Sequence, residues 1–151
     1  MRDETSNTYS AEATNASHRV LIVDDEPAIL FAYRKLIEKE GIAVDICECL
    51  DQAALHIATR TYLAVIADLR LAGSDNKDGL EVIRMIRSTQ PLAKVILSTG
   101  YGSEEIEHKV RSMGITHYFE KPVRPAVIME ALCSFYPIDD DQEWSDRSDP
   151  Q

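Results

Sequence analysis

The chain has 151 residues, 16 basic and 26 acidic, for a formal net charge of −10, and 44% of it is hydrophobic. That length fits one ordinary domain, and the composition excludes fibrous and wholly disordered classes. No basic stripe is present, which argues against nucleic acid or an anionic membrane as a partner, and the longest apolar run, 62–67, is far short of the roughly 20 residues of a spanning helix.

In chain order, residues 1–18 offer almost nothing to bury and are expected to form a disordered tail; they hold no apolar core of a signal peptide. The run VLIV at 20–23 predicts a first strand, and Asp24, Asp25 and Glu26 follow it. A helix is expected over 27–39, with Pro27 at its first position and Gly41 just past its end. Residues 43–47 predict a second strand, running into Cys47 and Glu48, and 51–59 a second helix. The run LAVIA at 63–67 predicts a third strand, followed by Asp68, and 79–89 a third helix that Pro91 separates from the next strand.

KVIL at 94–97 predicts the fourth strand, with Ser98 and Thr99 after it. In the helix expected over 103–113, Ser103 reads as the N-cap, and Glu104 and Glu105 place acid in the first turn. Ile106, Val110 and Met113 form its apolar stripe, and Gly114 ends it. Residues 117–119 predict a fifth strand, followed by Glu120, Lys121 and Pro122. In the last helix, 124–135, Ile128, Ala131, Leu132 and Phe135 make a core stripe. Met129, Cys133 and Tyr136 form a second apolar line, expected to meet a partner, a second copy or the tail, or to lie deep. Residues 137–151 carry Asp139, Asp140, Asp141, Glu143, Asp146 and Asp149 against Arg147 and are expected to be an acidic disordered tail.

Strands that are near-continuous apolar runs are covered on both faces. Five βα units in residues 19–136 therefore imply one α/β domain, a doubly wound parallel sheet with helices on both sides. Three cysteines with irregular spacing fit a reducing cytoplasm and no disulfide framework. Neither they nor His18, His56, His108 and His117 form a ligand pattern.

In such a sheet ligands bind beyond the carboxyl ends of the strands. What stands there is Asp24 with Asp25, then Asp68, Thr99 and Lys121. The second strand adds no shared chemistry, which fits an edge position. Three carboxylates repel: two of them about 4 Å apart cost roughly 4 kcal/mol at an effective dielectric near 20, and Lys121 alone cannot neutralise all three. An all-oxygen site of this kind suits Mg²⁺ or Mn²⁺ and not zinc. Beside such a metal, a carboxylate is equipped to attack a phosphoryl group, with Lys121 and Thr99 on the transferring oxygens. Asp68, alone on its loop, is the nucleophile candidate.

The motifs VLIVDDE at 20–26, IADLRLAG at 66–73, DGLEVIRMIR at 78–87, VILSTGYG at 95–102 and GITHYFEKP at 114–122 resemble the receiver domain of two-component response regulators, over about residues 19–136. The resemblance implies a flavodoxin-like (βα)5 three-layer sandwich with strand order 2-1-3-4-5. It makes Asp68 the phosphoacceptor, Asp25 a direct Mg²⁺ ligand, Asp24 a ligand largely through water, and the Arg70 backbone carbonyl a further ligand. Thr99 becomes the switch hydroxyl, Tyr118 the aromatic that turns inward, and Lys121 the contact to the phosphoryl oxygens, with the Lys121–Pro122 bond cis. Gly100 would leave the phosphoryl group open to water, and Arg70 and Tyr101 flank it. The loop 72–79 is about three residues longer than the family pattern and has Ala72 where a proline is usual, which is expected to loosen it and to alter partner choice or phosphoryl lifetime.

The function implied is a stand-alone cytoplasmic receiver, phosphorylated by a histidine kinase or a histidine phosphotransfer protein. It would signal through the fourth helix, fifth strand and fifth helix to a protein target or a second copy, and catalyse only its own phosphorylation and dephosphorylation. Two other classes compete. A Mg²⁺-dependent aspartyl-phosphate phosphohydrolase wants an acid two residues after the nucleophile, where this chain has Arg70. A degenerate receiver serving as a docking scaffold would lack some of the five site positions, and all are present.

Overall fold

The computed structural model describes residues 19–71, 77–100 and 102–135. Expectations that fall on the two tails, on 72–76, on Tyr101 and on Tyr136 lie outside the described residues. The elements are β1 Arg19–Val23, α1 Pro27–Lys39, β2 Ala43–Cys47, α2 Leu50–Thr59, β3 Ala64–Ala67, α3 Lys77–Thr89, β4 Lys94–Thr99, α4 Glu104–Ser112, β5 His117–Glu120 and α5 Pro125–Cys133. All strand pairings are parallel, in the order β2-β1-β3-β4-β5, so β2 is an edge as expected. Among the described residues no helix is long and apolar enough to cross a membrane.

The pleat sends alternate residues of each apolar run into two separate cores. Leu21, Val23, Val65, Ala67, Val95 and Leu97 face one core with α2, α3 and α4, where Ala53, Ile57, Ile83, Ile86 and Val110 are buried. Val20, Ile22, Ala64, Ile66 and Ile96 face the other, against Leu30, Tyr33 and Ile37 of α1 and Ile128 and Leu132 of α5. This two-sided burial is why the strands read as unbroken apolar runs. Ala131 and Phe135 of the core stripe also pack on the second core, and so does Met129 of the second apolar line.

The helix ends follow their residues. Pro27 occupies the first turn of α1, and the chain leaves that helix through Gly41 at φ 84°. Ser103 caps α4, its side chain accepting from the Ile106 amide at 3.2 Å, and Gly114 at φ 95° follows that helix.

Two boundaries bear on the site. β4 runs two residues further than its apolar run, because Ser98 and Thr99 pair with Phe119 and Glu120 of β5. Helix α3 begins at Lys77, two residues early, and Gly79 ties it back to the end of β3, its amide donating to the Leu69 carbonyl at 3.0 Å. A Cβ at position 79 would overlap the Leu69 backbone, which has no rotamer with which to yield. Gly79→Ala is expected to cost about 1–3 kcal/mol, towards the upper end of the range for overpacking. Urea denaturation reads this directly, and an unchanged midpoint would show that α3 shifts at no cost.

Candidate functional site

Three backbone hydrogen bonds beyond the strand ends, and one from a backbone amide to a side chain, gather the site. Val23 is paired with Ala67, so the residues after them, Asp24 and Asp68, start from neighbouring strands at one level, and the Asp68 amide donates to the Val23 carbonyl at 3.0 Å. The Asp24 amide donates to the Cys47 carbonyl at 3.1 Å and the Lys121 amide to the Thr99 carbonyl at 2.8 Å. The Glu26 amide donates to Asp24 Oδ1 at 2.9 Å, which turns the chain into α1. The Lys121–Pro122 peptide is cis.

Carboxylate oxygens of Asp24, Asp25 and Asp68 lie within 4.8 Å of one another. Asp24 and Asp68 are 4% and 6% exposed, whereas Asp25 faces solvent. Lys121 Nζ donates to Asp24 Oδ2 and Asp68 Oδ2, each at 3.0 Å, and reaches Glu26 Oε1 at 3.5 Å. Asp68 Oδ1 accepts from the Arg70 amide at 3.2 Å. Thr99 is fully buried at the end of β4. Asp24, Asp25, Asp68, Thr99 and Lys121 therefore stand at the rim to which their strand ends lead, while Tyr101 lies outside the described residues. The contact of Glu26 with Lys121 was not foreseen, since an exposed acid opening a helix carries no signal of its own.

Burial pushes the Asp24 carboxyl above its ordinary range even though the Glu26 amide and Lys121 both pull it down. Burial alone would lower the Lys121 ammonium, but hydrogen bonding and charge from Asp24, then from Asp68, hold it well above the usual lysine range. The cluster thus holds three acids against one well-placed ammonium, with the most enclosed acid resisting ionisation. That is the donor set and the charge deficit that a small hard cation relieves.

Tyr118, on β5, packs against the first core. Its hydroxyl is buried with no hydrogen-bond partner among the described residues, and Ser98 Oγ on the opposite face of β4 is in the same condition. Burial pushes the Tyr118 phenol up. His117, Phe119 and Phe135 form a stack, with ring centroids 5.8 Å apart in both His117 pairs.

The model of the response regulator receiver domain matches residues 20–133. The chain belongs to the response regulator receiver family. This receiver is 32% identical over 113 residues to the photosynthetic apparatus regulatory protein RegA of Rhodobacter capsulatus, covering 75% of this chain and 60% of that one. It is also 32% identical over 128 residues to the acid tolerance regulatory protein ActR of Rhizobium meliloti, covering 83% of this chain and 64% of that one. The chain thus spans a little over three-fifths of the length of these curated relatives. Among solved structures, the CheY-like receiver domain protein of Methanospirillum hungatei superposes with a TM-score of 0.71 at 28% identity, covering 77% of this receiver and 90% of that chain.

Proposed function

We propose that this receiver accepts a phosphoryl group on Asp68 from a phosphohistidine donor, either a histidine kinase or a phosphotransfer protein, and signals by changing what its surface binds. The observation that carries the reading is the bridge from Lys121 to Asp24 and Asp68 inside a cluster of three carboxylates. A carboxylate oxygen of Asp68 attacks phosphorus. The bond to the donor nitrogen breaks, and the imidazole leaves and takes up a proton.

Asp24, Asp25 and Asp68, with the Arg70 backbone carbonyl, would hold the divalent cation, Mg²⁺ or Mn²⁺. When bound, it supplies positive charge to the transferring phosphoryl oxygens. Lys121 supplies the other positive charge, and the Arg70 amide fixes the Asp68 carboxylate for attack. Thr99, buried beside the acyl phosphate that would form, is the hydroxyl that answers it, and Tyr118 follows. Phosphorylation adds about −1.5 to −2 charges at Asp68, and contacts made only then bias the surface of α4, β5 and α5 towards a protein target or a second copy. The domain acts in the cytoplasm and turns over only its own phosphoryl group.

The test is intact-mass measurement after incubation with acetyl phosphate. Wild type with Mg²⁺ is expected to gain one hydroxylamine-labile phosphoryl group, and wild type in EDTA and Asp68→Ala in Mg²⁺ to gain none. A labile adduct of equal yield on Asp68→Ala would overturn the assignment.

A further inference from the structure

Tyr118 owes its place to a residue sixteen positions earlier. A Cβ built on Gly102 would overlap the Tyr118 hydroxyl, come within 3.0 Å of its Cζ, and lie 3.4 Å from Thr99 Cγ2. The φ angle of Gly102 lies outside the left-handed region, the positive-φ glycines among the described residues being Gly41 and Gly114. No demand of the backbone therefore explains glycine here; the space beside its Cα does. That space is filled by a phenol whose hydroxyl is buried and has no hydrogen-bond partner among the described residues, an arrangement that disfavours the buried hydroxyl. The atoms in the way belong to the far end of a side chain that can rotate about χ1, not to backbone.

We propose that Gly102 is the positioning residue that admits Tyr118 to its place beside Thr99, and that the unpaired hydroxyl keeps this place only weakly held. The slot is open because position 102 has no side chain. It is shallow because the ring enters it with a polar tip that finds no partner among the described residues. A ring held in this way is dislodged by a modest change in the packing around it. The consequence for signalling rests on the receiver reading, while the packing claim stands on its own atoms.

The hydroxyl is the group in direct collision, so removing it and filling the slot have opposite effects. The readout is the NOE between the Tyr118 ring and the Thr99 γ-methyl; Tyr118 Cζ and Thr99 Cγ2 approach the same point, at 3.0 and 3.4 Å. Wild type shows it, Tyr118→Phe strengthens it, and Gly102→Ala loses it as the ring swings out. The double variant Gly102→Ala/Tyr118→Phe regains it in part, because without the hydroxyl only the close approach to Cζ remains. A merely structural role for Gly102 would give no rescue by deleting an oxygen.

An undiminished NOE in Gly102→Ala, no recovery in the double variant, or a Gly102→Ala protein that no longer unfolds cooperatively would each overturn the proposal; the last would mean that the ring does not yield. Labelling by acetyl phosphate is followed in all four proteins. If none is labelled, wild type included, the receiver reading fails while the NOE series still decides the role of Gly102.

Discussion

Replacing Lys121 with methionine, which keeps the apolar stem and removes the charge, is expected to lower the metal-free stability of the domain by about 3–5 kcal/mol, the usual cost of orphaning buried partners. The ammonium sits 3.0 Å from both Asp24 and Asp68, and each such contact is worth about 5.5 kcal/mol of attraction at an effective dielectric near 20. Without it, the three acids face one another uncompensated. The same oxygens, Asp24 Oδ2 and Asp68 Oδ2, become free for a cation, so Mg²⁺ should bind the variant more tightly and return much of the lost stability. Urea denaturation in EDTA and in Mg²⁺ measures both effects. Equal stability in EDTA, or a larger Mg²⁺ gain in wild type, would contradict the charge balance.

Linkage adds a pH signature to that variant. The Lys121 pKa is raised in the native state from an ordinary 10.5, so its contribution is fully present below 10.5 and is lost as pH rises through the native value. Wild type should therefore lose stability in that alkaline window and Lys121→Met should not show this loss.

Asp24→Asn is expected to act in the opposite direction, raising metal-free stability at neutral pH by about 1–2 kcal/mol. Asp24 gains about 5.5 kcal/mol from Lys121 at 3.0 Å. It also faces Asp25 and Asp68 within 4.8 Å, at a cost of roughly 3.5 kcal/mol each before solvent screens the exposed Asp25. Its burial tips the balance against the charged form. The amide of asparagine keeps the Oδ1 acceptor for the Glu26 amide, and it gives up the Oδ2 contact with Lys121 together with the charge.

Because burial raises the Asp24 pKa from 3.8, the native state takes up this proton before the unfolded state does. The handicap of wild type then shrinks as pH falls from neutral through the raised value towards 3.8. Mg²⁺ should stabilise wild type and do so much less in Asp24→Asn. A variant less stable than wild type in EDTA at pH 7 would show that Asp24 is a net support of the fold.

Much of this site is legible in the chain because the fold turns sequence position into spatial position. An apolar run covered on both faces ends where the sheet ends, so the polar residue after each run is delivered to the same rim. Asp24, Asp68, Thr99 and Lys121 are gathered in this way, and the parallel order β2-β1-β3-β4-β5 places β1 and β3 side by side to bring their acids together. The caps were equally readable, since Pro27, Ser103 and Gly114 act on their immediate neighbours.

What was hidden depends on side chains meeting across long separations. Nothing local shows that the Lys121 stem reaches Asp24, Asp68 and Glu26 at once. Gly102 reads as one more loop glycine until the Tyr118 ring is seen against it. The two extra residues of β4 were missed because Ser98 and Thr99 are polar, and it is pairing with β5, not hydropathy, that extends the strand. The second apolar line on α5 was visible, but only packing reveals that Met129 turns to the second core.

The central claim is that a cluster of acids around Lys121 makes Asp68 the residue that takes a phosphoryl group, and borohydride trapping tests it most directly. The reagent reduces an aspartyl phosphate to homoserine, which peptide sequencing locates. After acetyl phosphate and Mg²⁺, homoserine is expected at position 68 alone, and an EDTA-treated sample should retain aspartate there. Homoserine at another acid, or at position 68 in equal yield without a divalent cation, would contradict the account.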